Sequence, residues 1–168
     1  MSRQVPRMDE LESEAWLRLI SLVELLPASL DAQLQRDAQL THFEFMVLSQ
    51  LRFAPDQTLQ LKDLAAGTNS TLPRLSHVIS RLADRGLVER VPCPGDKRAT
   101  NARLTSEGRR RIVLATSGHI AHVRHLVIDK LDRDELSRLA AIGQKLTGEL
   151  DPNDRFGGAR AVMAGEQR

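Results

Sequence analysis

The sequence predicts a mainly α-helical protein that carries one small β-hairpin. Apolar residues recur at three- and four-residue steps over most of the chain, which is the spacing of amphipathic helices. Apolar and polar residues alternate in two short stretches, 87–91 and 100–104, on either side of a loop that contains Pro and Gly. With 168 residues, of which 41% are hydrophobic, the chain is long enough for one domain with a substantial core.

The composition indicates in which cellular compartment the protein is expected. No run approaches the roughly 20 apolar residues of a membrane span, and the first fourteen residues lack the apolar centre of a signal peptide. The single cysteine, Cys93, excludes an internal disulfide framework and suits a reducing compartment. We therefore expect a cytoplasmic protein without a membrane partner.

The centre of the chain, residues 61–105, has the element order of a DNA-binding unit. A short helix over 62–66, closed by Gly67, precedes a turn and a longer helix that Ser70 or Thr71 can cap. Two strands joined by a charged loop follow. Upstream, Thr41 and Glu44 fit a capping box that begins another helix, and 58–60 suits an edge strand. The order indicates a winged helix-turn-helix with a small β-wing.

Charge supports the same interpretation. Residues 61–111 contain eleven basic and five acidic side chains, a net charge of +6, whereas the rest of the chain carries −4. A basic segment in an otherwise acidic protein predicts a surface for a polyanion. The alternative is that these charges only solvate helix faces.

The longer helix of this unit is the predicted major-groove element. Its apolar positions form one buried stripe, and its opposite face carries groups suited to phosphates and base edges. In the wing, we expect Arg98 to enter the minor groove and Asp96 to accept hydrogen bonds from Arg90 or Arg98. The predicted DNA contacts are Ser70, Thr71, Arg74, Ser76, His77, Ser80, Arg81, Lys97 and Arg98, with Arg90 and Asp96 as wing supports.

Long amphipathic helices flank the unit. The first runs over about 9–36 and contains Pro27, which should kink or divide it. Thr105 caps a helix towards 131, and Asp132 with Glu135 caps a last helix. The apolar stripes of the terminal helices have no partner within the predicted domain, which favours a two-fold dimer. We therefore divide the chain into an N-terminal dimerisation helix (1–36), a winged helix-turn-helix domain (37–105), C-terminal dimerisation helices (106–150) and a flexible tail (151–168).

Three motifs together resemble the MarR family of bacterial transcription regulators. They are the run 81–90, RLADRGLVER; then 94–98, PGDKR; then 104–108, LTSEG. The resemblance covers roughly 11–150 and implies a homodimeric regulator, expected to be a repressor, that reads a pseudo-palindromic duplex and is released by a small molecule. It assigns the minor-groove role to Arg98, with Arg90 and Asp96 as supports. It also places a ligand cleft near Trp16, His42 and Phe43. His77 departs from the family, which often has Arg there.

Two sensing alternatives follow from the resemblance. Some relatives sense zinc through histidines of this region, and His42, His119 and His122 are the candidates here, although 119, 122 and 125 diverge by about 120° around a helix. We expect no bound metal or cofactor. Cys93 lies in the wing, away from the first helix where oxidation-sensing relatives carry their thiol, so we expect a plain cysteine.

Other functions fit less well. No nucleophile–base set, phosphate-cradling Gly loop or paired carboxylate stands out, which argues against an enzyme. Aromatic residues make up only 3% of the chain and are absent from the basic region, so the stacking platforms of single-strand or RNA binders are missing. A helical protein-interaction module without DNA contact stays as an alternative.

Overall fold

The computed structural model describes residues 7–93 and 96–151, with 96–98 described by their backbone only. Short 3-10 turns occur at Pro55–Gln57 and Ile128–Lys130. In chain order, the elements are α1 (Glu10–Ala38), α2 (His42–Phe53), β1 (Thr58–Gln60), α3 (Leu61–Gly67), α4 (Leu72–Asp84), β2 (Val88–Cys93), β3 (Asp96–Leu104), α5 (Ser106–Leu126) and α6 (Arg133–Leu150). The predicted class, mainly α with a small β-wing, is confirmed.

Local capping signals determine where most helices begin. Thr41 and Glu44 form the predicted capping box of α2, and Asp132 and Glu135 form that of α6. Thr71 accepts a hydrogen bond from the Arg74 amide at the start of α4. Each of these side chains satisfies an amide that has no partner inside its helix, a contribution of about 1 kcal/mol.

Several predicted boundaries are wrong. Of the two outcomes expected at Pro27, a kink or a division, the division does not occur: α1 continues to Ala38 rather than ending near 36, since Leu30 and Leu34 anchor its last turns in the core. Pro27 lacks an amide, and the carbonyl four residues before it belongs to the exposed Val23, where water can replace the lost bond. Helix α5 ends at Leu126 rather than near 131, because a 3-10 turn follows.

The C-cap assignment at Gly67 is also wrong. Gly67 lies inside α3, and Thr68 is the C-cap residue. A β-carbon at Gly67 would displace the end of the Gln50 side chain, whose amide donates to the Gly67 carbonyl. Gly86, by contrast, follows the end of α4 with a left-handed φ of 69°, which glycine adopts without strain.

The sheet is antiparallel, with strand order β1-β3-β2. Strand β3 begins at Asp96 instead of about 100, because the hairpin pairing continues past a register shift at Pro92 and Cys93. Ala102 and Leu104 face the core while Arg103 faces solvent, which fits the alternation over 100–104. The largest fully buried side chains unite α1, α2, α3, α4 and α5 around this face: Leu34, Leu40, Val47, Leu48, Leu51, Leu64, Leu75, Ile79, Leu82, Leu87 and Ile112.

Two helical segments lie outside this core. The buried residues of α1 begin only at Leu30, and α6 has none. Large apolar side chains on both segments are exposed, including Leu25 at 71% and Ile142 at 57%. Within the described residues, no helix is both long enough and apolar enough to cross a bilayer.

Two glycines of α5 should respond to alanine with opposite signs. A methyl group at Gly108 would overlap the Leu87 carbonyl, so Gly108→Ala should lower the free energy of unfolding by about 2 kcal/mol. At Gly118 the nearest atoms, Gln33 Nε2 and Asp37 Oδ2, would lie 3.4 and 3.5 Å from the added carbon, which is ordinary contact. Gly118→Ala should therefore stabilise by about 0.5–1 kcal/mol through helix propensity. Urea unfolding at fixed protein concentration measures both; equal effects would contradict the packing at Leu87.

Candidate nucleic-acid interface

Helix α4 separates an apolar face from a polar one. Leu75, Val78, Ile79 and Leu82 are buried. Among the predicted DNA contacts, Thr71, Arg74, His77, Ser80 and Arg81 are exposed, whereas Ser70 and Ser76 are half-buried. The polar face is therefore accessible to a ligand along the whole helix. The side chains of Asp96, Lys97 and Arg98 lie outside the described residues.

Arg90 of the wing forms hydrogen bonds with α4. Its Nη2 atom donates to the Ser76 carbonyl at 2.8 Å, to Ser76 Oγ at 3.0 Å and to Ser80 Oγ at 3.1 Å. Both serine hydroxyls were predicted DNA contacts, and both accept from Arg90 in this structure. The contact sets the direction of β2 relative to α4, so the wing and the helix form one rigid surface.

The wing strands are also paired through charge. Arg103 Nε donates to Glu89 Oε1 at 2.7 Å across β2 and β3. This hydrogen bond lowers the pKa of Glu89 and raises that of Arg103. Since both side chains are about half exposed, the pair contributes little to stability but orders the base of the wing.

The first turn of α2 lies against three arginines of the α4 region. The Arg74 guanidinium carbon is 4.7 Å from the centre of the Phe43 ring. Glu44, whose side chain is 5% exposed, pairs with Arg85 at 3.2 Å and with Arg81 at 3.7 Å. The sequence predicts only a capping role for Glu44 and no role for Arg85. The available signal was the spacing of Arg74, Arg81 and Arg85 along one helix face.

Arginines also close the corner between α1 and α2. Arg85 Nη2 donates to the Gln39 carbonyl at 2.5 Å, and Arg111 Nη1 donates to the Ala38 carbonyl at 2.9 Å. Arg110 and Arg111 of the basic start of α5 both pair with Glu107. Arg85 and Arg111 therefore donate to carbonyls at the C-terminal end of α1 that lack helical partners.

A histidine cluster lies on the other side of the α2 turn. The rings of His42 and His119 are 6.0 Å apart, and Phe45 lies 4.4 Å from His119. The His42 amide donates to Asp31 Oδ1, and His122 Nε2 is 3.1 Å from Ser29 Oγ. The cluster thus joins α1, α2 and α5.

Burial controls the protonation of this cluster. His119 is 3% exposed, and its Nδ1 has no hydrogen-bond partner among the described residues. Burial, followed by repulsion from His42 and His122, lowers the pKa of His119 to about 4. Burial also lowers the pKa of His42, although Asp31 opposes this. His42 and His119 are therefore neutral at physiological pH.

The predicted sensing residues come together only in part. His42 and Phe43 are neighbours, but Trp16 lies fifteen residues along α1 from Asp31, which is roughly 22 Å of helix. Within the described residues, no group of three or more His, Cys, Asp or Glu side chains is arranged to hold a metal ion. Cys93 is half-buried, and its sulfur accepts from Gln60 Nε2 at 3.6 Å.

Comparison with known proteins agrees with this geometry. The model of the MarR family matches residues 38–99. Sco3205 of Streptomyces coelicolor, a MarR family transcriptional regulator solved in complex with DNA, is 35% identical; the match covers 90% of this chain and 96% of that chain, with a TM-score of 0.84. AbsC from the same organism, also a MarR family regulator, is 28% identical, covering 89% and 100%, with a TM-score of 0.83. A mutant MarR from E. coli complexed with operator DNA is 26% identical, covering 83% and 99%, with a TM-score of 0.70.

The fold and the exposed polar face of α4 define a winged helix-turn-helix protein of the regulator class. The chain belongs to the MarR family of transcriptional regulators. This confirms the resemblance carried by the three sequence motifs, and the family consists of transcription regulators rather than enzymes.

The lowered pKa of His119 predicts acid sensitivity. The folded state holds His119 neutral, whereas the unfolded chain binds a proton below about pH 6.5. Stability should therefore be complete above pH 6.5 and fall as the pH drops towards 4, with His119 accounting for up to about 3 kcal/mol. Urea unfolding across pH 4.5–7.5 measures this. His119→Phe should flatten the profile, while His125→Gln, a change at an exposed histidine of the same helix, should leave it unchanged. An unaltered profile in His119→Phe would contradict the burial of a neutral imidazole.

Proposed function

We propose that this regulator is a homodimeric repressor that binds a pseudo-palindromic duplex and is released by a small molecule. The observation that carries the proposal is the exposed polar face of α4, with Arg74, His77 and Arg81 along it and the wing fastened beside it by Arg90. This surface lies within the segment of net charge +6 in an otherwise acidic chain. A major groove admits such a helix, and arginine suits both guanine edges and phosphates.

The relatives support the choice of duplex DNA as the partner. Sco3205 was solved in complex with DNA, and the E. coli MarR mutant with operator DNA. Both share the full length of the fold with this chain, as their coverage indicates. The helical-module alternative without DNA contact has no observation in its favour, because it leaves the charge distribution unexplained.

The uncovered helices support a dimer. The first two-thirds of α1 and all of α6 expose large apolar side chains. Burial of these side chains against a second copy would stabilise the dimer by about 25 cal/mol per Å² of apolar surface removed from water. A two-fold arrangement would place two α4 helices about one DNA turn, roughly 34 Å, apart.

The region between α1, α2 and α5 is the proposed effector site. It contains two buried polar atoms without partners among the described residues, Gln33 Oε1 and His119 Nδ1. Buried polar atoms of this kind favour a ligand that supplies the missing hydrogen bond. Trp16 of the same chain is too far along α1 to line this region, so its predicted role requires the second copy of the chain.

Selection of genomic fragments by the purified protein, followed by footprinting, tests the proposal. Binding to the selected duplex should weaken steeply between 50 and 200 mM salt. Arg98→Ala should weaken it about tenfold or more, because a positioned groove contact is worth roughly 1–3 kcal/mol. Arg138→Ala, which removes an exposed charge from α6, is the matched control and should bind as tightly as the parent. Failure to retain any duplex over random DNA would refute the proposal.

Two variants of α6, each of which adds one carboxylate to a different face of the helix, test the dimer. Ile142→Glu puts a carboxylate within the exposed apolar stripe and should dissociate the dimer, seen as halved mass in sedimentation, with a large loss of DNA affinity. Gln144→Glu adds a carboxylate on the opposite face of the same helix and should leave the mass unchanged. Equal behaviour of the two variants would exclude α6 from the interface.

A further inference from the structure

We propose that the first turn of α2, through Phe43 and Glu44, positions the arginines of α4 and so sets DNA specificity without touching DNA. The inference rests on the proposed function, because it concerns how the same surface distinguishes one duplex from another. Phe43 and Glu44 are the positioning residues; Arg74 and Arg81 are the groups that they orient.

The arrangement follows from helical geometry. Arg74, Arg81 and Arg85 are separated by seven and then four residues, so they lie on one face of α4 and its C-terminal end. That face borders the first turn of α2. Phe43 therefore meets the arginine at the beginning of α4, and Glu44 meets the two at its end.

The Glu44 carboxylate is held in place by its burial and its hydrogen bonds. Its side chain is 5% exposed, and its carboxylate accepts from the Thr41 amide at 2.9 Å as part of the capping box. A buried carboxylate is costly unless cations and donors surround it. Arg85, at 35% side-chain exposure, is the inner cation and also holds the Gln39 carbonyl.

Arg81 is held more loosely by the same carboxylate. Its side chain is 50% exposed, and its nitrogen lies 3.7 Å from Glu44 Oε1, a geometry worth little energy by itself. The guanidinium is therefore kept near one direction but remains able to contact a phosphate or a base edge. Pre-orientation of this kind lowers the entropy lost when a matching duplex binds.

Phe43 does the same for Arg74. The ring is half-buried, and the guanidinium lies over it at 4.7 Å, within the range of a cation–π contact. Contact with the ring limits the directions that the Arg74 guanidinium can take while the residue stays exposed. Arg74 lies in the first turn of α4, the part of a recognition helix that approaches base edges.

Glu44 also weakens indiscriminate attraction. A carboxylate beside Arg81 offsets part of the pull that this arginine exerts on any phosphate, while its directional effect favours only a duplex of matching geometry. Both effects act on the ratio of specific to random binding. The ratio, rather than total affinity, is the quantity that a positioning role changes.

The first test replaces Glu44 by its neutral isostere. Glu44→Gln keeps an acceptor for the Thr41 amide, since glutamine also serves in capping boxes, but removes the charge that holds Arg81. The affinity ratio of the footprinted duplex to random duplex should fall about tenfold. Glu107→Gln, which removes a carboxylate paired with Arg110 and Arg111 at the start of α5, should change the ratio less than twofold.

A double-mutant cycle separates positioning from structure. In an Arg81→Ala background, Glu44→Gln should alter the ratio less than twofold, because the side chain that Glu44 directs is gone. A tenfold fall that persists in that background would overturn the inference and indicate a general structural role for Glu44.

Phe43 provides an independent variant that does not disturb a buried charge. Phe43→Leu should lower the same ratio about threefold to tenfold by releasing Arg74. Phe53→Leu is the control, because Arg52 lies over Phe53 at 5.2 Å at the other end of α2, a similar contact far from α4. Equal effects of the two substitutions would contradict the role of Phe43.

A measurement without DNA distinguishes the two proposals. In NMR spectra of the free protein, the Arg81 and Arg85 side-chain Nε–Hε resonances should shift in Glu44→Gln and stay unchanged in Glu107→Gln. If the parent protein selects no duplex, both proposals fail. If it selects one and Glu44→Gln leaves the resonances or the ratio unchanged, only the positioning role fails.

Discussion

The buried carboxylate of Glu44 is the constraint on which the DNA-facing half of the molecule depends. A nearly inaccessible charge is tolerated only where donors and cations surround it, and here these come from the Thr41 amide and from two arginines 37 and 41 residues further along the chain. Arg85 extends the network to the Gln39 carbonyl, where α1 ends. The orientation of α4 relative to α1 and α2 is therefore determined by one charge and its partners, as well as by apolar packing.

The same turn of α2 faces the histidine cluster on its other side. The backbone amide of His42 donates a hydrogen bond to Asp31 of α1, and Phe45 packs on His119 of α5. His42 and Phe45 thus contact the proposed effector region, whereas Phe43 and Glu44, which lie between them in the sequence, contact the arginines of the α4 region. Coupling between two sites requires a shared element whose position both can bias. The short distance across a helical turn makes α2 that element, with no long chain of intermediates.

The order of helices and strands could be predicted from local sequence patterns, whereas contacts between residues far apart in the sequence could not. The capping boxes and the stripe of α4 depend on residues three or four positions apart, and these were correct. Arg90 was assigned a supporting role in the wing, but its contact with Ser76 depends on the register of β2 against a helix fourteen residues earlier. The Glu44–Arg85 pair spans 41 residues, and no sequence pattern indicates such a pair. Of the two outcomes expected at Pro27, division of α1 does not occur, because tertiary anchoring outweighs a local preference.

The continuity of α1 has a mechanical consequence. Its last turns are buried with the DNA-facing core, whereas its first twenty residues form an arm of roughly 30 Å in which no residue is fully buried. No flexible linker separates the two parts, so a rotation where α1 meets α2 and α5 is transmitted along the whole arm. A tilt of 5° displaces its end by about 3 Å, comparable to the length of one hydrogen bond. In the proposed dimer, two α4 helices that match successive grooves roughly 34 Å apart would lose their register through a change of this size. If the proposed effector site is correct, a small rearrangement around His119, where buried polar atoms lack partners among the described residues, would be sufficient in scale to control DNA binding.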